Sequence, residues 1–479
     1  MLTKWIINYR NKREDMKKIS IIGVLTFTAL LSSCGLYNKY DREDVKLDVK
    51  GIVRDPLSAT DTLAVTDTTC LGNLPWRTVF TDPCLQTLID SALHRNTDLL
   101  SAVENVKIAQ AQLTASKLAF LPSIAFTPSG TLSSWDGGSV SKGYSLPVSA
   151  SWNVDLWGNL LSKSRSARTQ LLASQYYQQV VRSQIISGIA NCYYTLLMLD
   201  KQLGIVDEMA SLTKDTWEMM KKQKQLSMAT ETAVQSAEAA YYSVLSNGID
   251  IRRSIRETEN SLSLLLRQSP QQITRGRLED QSLPTDLSVG VPLKMLDNRP
   301  DVHAAEMSLA QCFYGVQQAR QAFFPSLNIT AQAAFTNSAG GAIINPGKWL
   351  LTAVGSLTQP IFANGKIVAG LKAAKSQYEQ AYLKYEQTIL NAGGEVSNAL
   401  VTYNSAHEKS LLETKRVNVL EKNVEMTKLL YKQSSNTTYL EVISAQQNLL
   451  NAQLSLIQDN FTKMQAVVTL YQALGGGRN

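Results

Sequence analysis

A short pivot occurs twice in this chain, Ala119-Phe120-Leu121-Pro122-Ser123 and Ala322-Phe323-Phe324-Pro325-Ser326. Each copy closes a helix-like segment rich in Ala and Gln and opens a charge-free run of alternating residues. Proline at such a junction stops a helix because it lacks the N–H and crowds the preceding turn. The pivots lie 203 residues apart, an offset that also pairs Asp98 with Asp301 and Ala102 with Ala305. Further on, Gln225, Ser227, Thr230, Val234, Ser236 and Ala237 match Gln433, Ser435, Thr438, Val442, Ser444 and Ala445 at an offset of 208, so the second copy carries a few net insertions. A unit of about 200 residues is too long for a solenoid repeat. The 479 residues therefore read as one architecture built twice.

Each pivot leads into strands. Between Lys117 and Asp136 there is no charge, and this segment holds the first strand. The second, Ser145 to Leu156, places Leu146, Val148, Ala150, Trp152, Val154 and Leu156 on one face and Ser145, Pro147, Ser149, Ser151, Asn153 and Asp155 on the other. Leu327, Ile329, Ala331, Ala333 and Phe335 repeat the pattern against Asn328, Thr330 and Gln332, as do Trp349, Leu351, Ala353, Gly355 and Leu357. Asp136 to Gly143 and Asn337 to Lys348, rich in Gly and Ser, read as hairpin tips. Alternation of this length, with Trp152 and Trp349 near strand ends, is the signature of a transmembrane β-barrel. Four strands leave unpaired edges, which lipid forbids, and the smallest barrels need about eight. Several chains must pool their hairpins.

The remainder is helical. Pro83 to His94 forms a short helix, and Asn96-Thr97-Asp98 caps a longer one reaching Leu121. Gly158 to Ser227 and Gly365 to Ser434 carry no proline, and each would span roughly 105 Å as a helix. Asp98–Leu121 and Thr230–Arg267 placed end to end would span roughly 93 Å, so a long helix beside two stacked short ones makes a rod of about 100 Å. Leu371, Tyr378, Tyr385, Ala392, Ala399 and Ala406 recur every seven residues, with Tyr382, Ile389, Val396 and Tyr403 four places after members of that seam. The segmentation is then a signal segment at 1–33, an extension with the first short helix at 34–96, a first unit at 97–267, a connector at 268–297, a second unit at 298–474 and a tail at 475–479.

The amino terminus bears on location. Lys17-Lys18, the apolar Ile19 to Leu31 and Leu31-Ser32-Ser33-Cys34 have the layout of a secretory signal ending in a lipoprotein cleavage box, with translation beginning at Met1 or Met16. The apolar stretch is too short to span a bilayer, so Cys34 is expected to carry lipid and anchor the mature chain. With 44% hydrophobic residues and no run of about 18 apolar ones, any membrane insertion must come from strands. The first 33 residues carry a net +4 of the chain's +7, which leaves too little positive charge for a nucleic-acid partner. Export makes a disulfide between Cys70 and Cys84 feasible, while Cys192 and Cys312 read as small buried apolar residues.

Several motifs together resemble the TolC-type outer-membrane efflux proteins, and most closely the lipoprotein branch represented by OprM and NodT. They are the cleavage box, Leu74-Pro75-Trp76-Arg77 with Phe80-Thr81-Asp82-Pro83, Asn298-Arg299-Pro300-Asp301, both pivots, Tyr439-Leu440-Glu441-Val442-Ile443-Ser444-Ala445-Gln446, and Ala473-Leu474-Gly475-Gly476. The resemblance implies an α+β membrane protein in which three chains contribute four strands each to one 12-stranded barrel, continued by a periplasmic tunnel of long antiparallel helices. It implies the exit duct of a tripartite efflux pump in the outer membrane of a Gram-negative bacterium, a lipoprotein carrying palmitate. Its partners are a periplasmic adaptor and an inner-membrane transporter of the resistance-nodulation-division type. The family's acidic periplasmic gate maps onto Glu441, with Ser444 where relatives often have aspartate, and three Glu441 copies near one axis would repel each other and attract cations. A solvated carboxylate favoured by the helix dipole is the plainer reading of Glu441. Adaptor-facing turns map onto Ser227, Met228 and Ala229 and onto Ser435, Asn436 and Thr437.

Rival functions find less support. His94, His303 and His407 lie far apart on different helices, so no catalytic triad or metal cluster suggests itself, no Gly-rich phosphate loop follows a strand, and no cofactor is called for. A coiled-coil adhesin would have no use for two charge-free hairpins. A duct for protein secretion or metal efflux keeps the architecture and changes the client, and neither Met-rich nor His-rich walls are evident.

Overall fold

The duplication is visible in the lengths of the helices. The computed structural model describes residues 38–42, 71–134, 136–138, 140–282, 298–339, 342–433 and 438–478. In chain order they form α1 (Pro83–Arg95), α2 (Thr97–Leu118), β1 (Ser123–Phe126), β2 (Ser129–Ser133), β3 (Ser141–Val154), α3 (Asn159–Gln225), α4 (Glu231–Leu265), α5 (Pro300–Gln321), β4 (Ser326–Ala339), β5 (Ala342–Thr358), α6 (Lys366–Gln433) and α7 (Tyr439–Ala473), besides three short helical turns. Helices α2 and α5 have 22 residues each, α3 and α6 have 67 and 68, and α4 and α7 have 35 each. Contacts divide the chain into two units, each drawn from both repeats: residues 1–47, 107–173 and 306–384, and residues 48–106, 174–305 and 385–479.

The first unit holds the sheet. Its strands are antiparallel, in the order β1–β3–β4–β5, and β2 pairs with β3 in the same register as β1, so β1 and β2 are one strand interrupted at Thr127-Pro128. Proline cannot donate to the ladder, which explains the interruption on an edge strand. Directly opposed residues share a face. One face carries Ile124–Ala150–Ala331–Ala353, Phe126–Val148–Ala333–Leu351 and Trp152–Ile329–Gly355; the other, mainly polar, carries Ser123–Ser151–Thr330–Val354, Ala125–Ser149–Gln332–Thr352, Asn153–Asn328–Ser356 and Pro147–Ala334–Leu350. The apolar face is bare: Ile124, Phe126, Val148, Trp152 and Leu351 are all exposed. Among the described residues no helix is long and apolar enough to cross a membrane.

Sequence reading misplaced several ends. Helix α2 stops at Leu118, three residues short of Leu121, because the chain turns before Pro122 to bring Ser123 onto the sheet edge. Strand β3 begins at Ser141 and ends at Val154, since pairing with β2 recruits the glycine-rich approach. The stretch Asn337 to Lys348 is mostly strand: β4 and β5 stay paired to Ala339 and Ala342 across a register shift between Thr336 and Ser338. Small residues there lower intrinsic strand preference, but a ladder already in register on one side outweighs it.

The second unit contains the core. Phe80, Leu85, Ile89, Ile186, Ile189, Tyr193, Leu196 and Tyr471 are fully or almost fully buried in one cluster. Side chains of this size each contribute about 1.5–3 kcal/mol on full burial. The α6 seam is buried as its heptads require, at Tyr385, Ile389, Ala392, Val396, Ala399 and Ala406. Asn96 Oδ1 accepts from the N–H groups of Asp98 and Leu99, which confirms the cap of α2. The carboxyl end is part of this core. Tyr471 Oη donates to the Leu74 carbonyl and accepts from Gly477 N, both at 2.9 Å, while Ser183 Oγ donates to the Gly476 carbonyl at 2.6 Å. The glycines that follow α7 are therefore a packing requirement. A Cβ built on Gly476 would lie 2.5 Å from the Tyr471 ring. Gly476→Ala should cost about 1–3 kcal/mol through overpacking, read as a lower thermal midpoint by circular dichroism in detergent; an unchanged midpoint would mean the tail is not packed as described.

Candidate functional site

The motifs at residues 80–83, 298–301 and 439–446 fall in the second unit, in two groups, while both pivots fall in the first unit. In the first group, Asp82 caps α1 through Cys84 N at 2.8 Å, Pro83 holding the first helical position. Its other oxygen accepts from Tyr193 Oη at 2.6 Å and Gln281 Nε2 at 2.7 Å, and Tyr193 Oη accepts from Gly276 N at 2.9 Å. Burial pushes the Asp82 carboxyl up, but the bonds from Tyr193, Gln281, Cys84 and Leu85 outweigh it and hold it below the usual value of 3.8. Arg275 lies alongside, its Nε and Nη2 on Asp200 at 2.5 and 2.8 Å and its Nη1 on Glu259 at 2.5 Å. Arg299 forms a comparable knot, reaching the Ala473 carbonyl at 2.9 Å, Glu395 at 2.7 Å and Asp301 through two bonds. These motifs fasten the connector and the helix ends to the core.

The second group lies where α3 turns into α4 and α7 begins. Ser227 adopts a left-handed φ of 57°, Met228 N reaches back to the Gln223 carbonyl at 2.8 Å and Ser227 N to that of Lys224 at 2.9 Å. This is a Schellman stop with serine in place of the usual glycine. Thr230 Oγ1 accepts from Ala233 N, and Lys224 pairs with Glu231 across the turn. The bond from Lys224 holds the Glu231 carboxyl below its usual range. Leu226 and Met228 project, 70% and 74% exposed. Beside them, Trp217 stacks on Tyr241 at 5.7 Å, Lys221 Nζ sits 3.3 Å from the Trp217 ring centre, and Tyr431 Oη donates to Gln223 Oε1 at 2.6 Å.

Glu441 occupies the third position of α7, where a helix dipole favours a carboxylate, and Thr438 Oγ1 bonds its Oε1 at 3.2 Å. Glu441 and Ser444 are exposed on one face with Gln447, Asn448 and Asn451, while Val442, Ala445 and Gln446 are buried behind them. Gln446 Nε2 pins that buried side to Thr216 Oγ1 at 3.1 Å. The first turns of α7 thus show solvent a strip that is polar except for Leu440, with a single carboxylate at its end. Of the other expected positions, Cys34, Cys70, Ser435, Asn436 and Thr437 lie outside the described residues. Cys84 is half-buried and forms no disulfide among the described residues, and Cys192 and Cys312 are half-buried rather than buried, since each lies on a helix flank that only partly faces a neighbour. No three His, Cys, Asp or Glu side chains gather among the described residues as a metal would need. The Tyr193 and Arg275 networks had no periodic signature in the sequence; only the Phe80-Thr81-Asp82-Pro83 motif hinted at the first.

The model of the outer membrane efflux protein family matches residues 88–266 and 291–476. The chain belongs to that family. Its place is the outer membrane and its work is efflux. The cation efflux system protein CusC of Escherichia coli K12 is 28% identical over 415 residues, covering 85% of this chain and 89% of that protein. The toluene efflux pump outer membrane protein TtgC of Pseudomonas putida is 26% identical over 474 residues, 96% of each. Among solved structures, the open state of the Neisseria gonorrhoeae MtrE outer membrane channel superposes with a TM-score of 0.81 at 26% identity, covering 92% of this chain and 98% of that one. A structure of CusC gives 0.78 at 27% identity, with 84% and 95% covered.

Two consequences follow for the fastening network. Replacing Arg275 with Leu should cost about 3–5 kcal/mol, because it leaves the 10%-exposed Glu259 carboxylate without its partner; Arg253→Ala, at an ion pair more than 60% exposed, should cost under about 0.5 kcal/mol. Asp82 titrates lower folded than unfolded, so its contribution is present above about pH 3.8 and fades as the pH falls through its folded value. Urea melts between pH 3 and 6 should lose that acid dependence in Asp82→Asn.

Proposed function

We propose that this chain forms, as a homotrimer, the passive outer-membrane duct of a tripartite efflux pump, with a periplasmic adaptor at its helix turns and an inner-membrane transporter of the resistance-nodulation-division type supplying the energy. The observation that carries this reading is the sheet. It presents an unbroken apolar face, an opposite face that is mainly polar but carries Val354 and Leu350, and two edges, β1/β2 and β5, with no strand beyond them among the described residues. In lipid each edge amide left unpaired costs several kcal/mol, so the edges must be closed by further strands. Identical chains supply them, and the polar faces then line a water-filled passage.

The same reading gives Glu441 and Ser444 the gate and the turns at Ser227–Ala229 and Ser435–Thr437 the adaptor contact. The exposed polar strip on α7 supports the first, and the projecting Leu226 and Met228 support the second. Lipid on Cys34 is supported by the segment that follows it. Tyr40 packs edge-on against Phe313 at 5.9 Å, and Arg165, near the start of α3 and so near the strands, donates to the Asn38 carbonyl at 3.3 Å. The four residues from Cys34 to Asn38 reach at most about 14 Å further. A duct of this kind needs no binding site for its cargo, so the transporter selects the compounds and this chain has no catalytic part.

In planar bilayers the purified protein should conduct, and Glu441→Ala should raise single-channel conductance and weaken cation preference severalfold. Conductance and selectivity unchanged by the substitution would remove Glu441 from the gate, and no conductance at all in either form would sink the duct. Metabolic labelling with palmitate should vanish in Cys34→Ser; label that persists rules out the anchor.

A further inference from the structure

We infer that a cleft between α5 and α6 holds the head of a glycerophospholipid, a phosphoethanolamine, at the periplasmic border of the outer membrane. The placement rests on the lipid anchor at Cys34 proposed above, and the chemistry comes from the cleft itself. Its volume is about 370 Å³, and Phe313, Gln317, Arg320, Lys375, Tyr378 and Glu379 line it. Helix α5 runs into β4 and α6 runs away from β5, its antiparallel neighbour, so the two helices run in opposite directions. Long side chains lean toward the start of their own helix. Arg320 therefore reaches back along α5 while Lys375 and Glu379 reach back along α6, and all three end at the same cleft.

The spacing along α5 fixes which way the cleft opens. Glu306, Phe313, Gln317 and Arg320, separated by 7, 4 and 3 residues, share one face of the helix. Residues 38–42 run over that face: Tyr40 packs against Phe313, its N donates to Tyr314 Oη at 3.3 Å, and Arg42 pairs with Glu306 at 3.9 Å. A segment that starts four residues after an anchored Cys34 stays outside the passage, so the cleft opens toward the membrane and not toward the cargo. Arg320 lies three residues before Phe323 of the pivot, about 5 Å along a helix, and a headgroup layer is roughly 5–7 Å deep on each side of a bilayer core. On α6, Val368 stands two turns before Lys375 on the same face and is 50% exposed, with Phe362 84% exposed beyond it, an apolar track for lipid tails.

The polar groups of the cleft call for both signs of charge. Arg320, Lys375 and Glu379 make no ion pair or hydrogen bond among the described residues. Gln317 is 2% exposed, and its Oε1 has no hydrogen-bond partner. A buried acceptor left bare is costly and asks for a donor. The two cations suit a phosphate, the Arg320 guanidinium offering it a fork of N–H donors. The Glu379 carboxylate and Gln317 Oε1 can only accept, and an ammonium supplies what they lack. A phosphodiester without an amine would satisfy the cations and leave both acceptors facing negative charge, which is why the ethanolamine head fits better than a glycerol one.

Native mass spectrometry of the full chain, extracted in detergent and given equal amounts of dioleoyl phosphatidylethanolamine and dioleoyl phosphatidylglycerol, tests the site. The wild type should retain the ethanolamine lipid in preference. Arg320→Gln combined with Lys375→Gln should weaken that retention about tenfold through loss of charge-assisted bonds. Glu379→Gln should erase the preference between the two lipids, and Lys372→Gln, on the same helix outside the cleft, should change neither. All four positions are exposed, so the fold tolerates the substitutions. Free O-phosphoethanolamine should displace little lipid, because it leaves Val368 and Phe362 uncovered; displacement as effective as the lipid's own would make a soluble phosphoester the ligand and overturn the lipid. Equal retention of both lipids by the wild type, or retention unchanged in the double variant, overturns the site. The same spectra report the acyl mass on Cys34. An acylated chain without selective retention rejects the cleft and leaves the anchor standing, whereas a chain with no acyl mass removes the anchor and the placement built on it.

Discussion

The structure depends on a main-chain requirement: every amide facing lipid must have a hydrogen-bond partner within protein. Strands satisfy it only between neighbours, so a sheet of four strand positions whose outer face is bare and apolar is incomplete by itself. Everything else serves the placement of that sheet. The pivots at Pro122 and Pro325 end the helices that deliver the chain to it, and left-handed glycines at 158 and 365 start the helices that carry the chain away. At each junction a hydrogen bond from the strand to the pivot carbonyl, from Trp152 or from Gln359, ties the two together.

The long helices follow a different logic. Helix α6 buries Tyr385, Ile389, Ala392, Val396, Ala399, Ala406, Ser410, Val417 and Val424, a stripe that keeps close to a seven-residue period over forty residues. A strict seven-residue repeat drifts against the 3.6-residue turn, and only a left-handed supercoil keeps such a seam in contact. The alanines in its middle let neighbouring helices approach closely. With one narrow stripe apolar, the rest of the helix surface can meet water, which suits a wall wetted on both sides.

Periodic features were legible in the sequence and long-range partnerships were not. Alternation over Leu146–Val154 located β3 and its faces, the heptads located the α6 seam, and the paired pivots revealed the duplication. Strand and helix ends were less clear because pairing partners decide them: β4 and β5 run through the Gly- and Ser-rich stretch that composition marked as a tip. The Arg275 and Tyr193 knots were hidden apart from the motif around Asp82, since their members lie from 16 to 199 residues apart and follow no period. Glu441 and Ser444 came from resemblance, and what the structure adds is their shared exposed face. The left-handed serine at position 227 was invisible for a related reason, because serine is no sign of that conformation where glycine would be.

The bond from Tyr471 to Leu74 joins groups 397 residues apart, and its other half needs the amide of Gly477. Nothing upstream can substitute for these last residues. Without them the hub into which Phe80, Tyr193 and Tyr471 pack would lose the bonds from Ser183 Oγ and Gly477 N. A change at residues 476–477 is therefore felt beside Leu74, because a single phenol ties the two most distant segments of this core together.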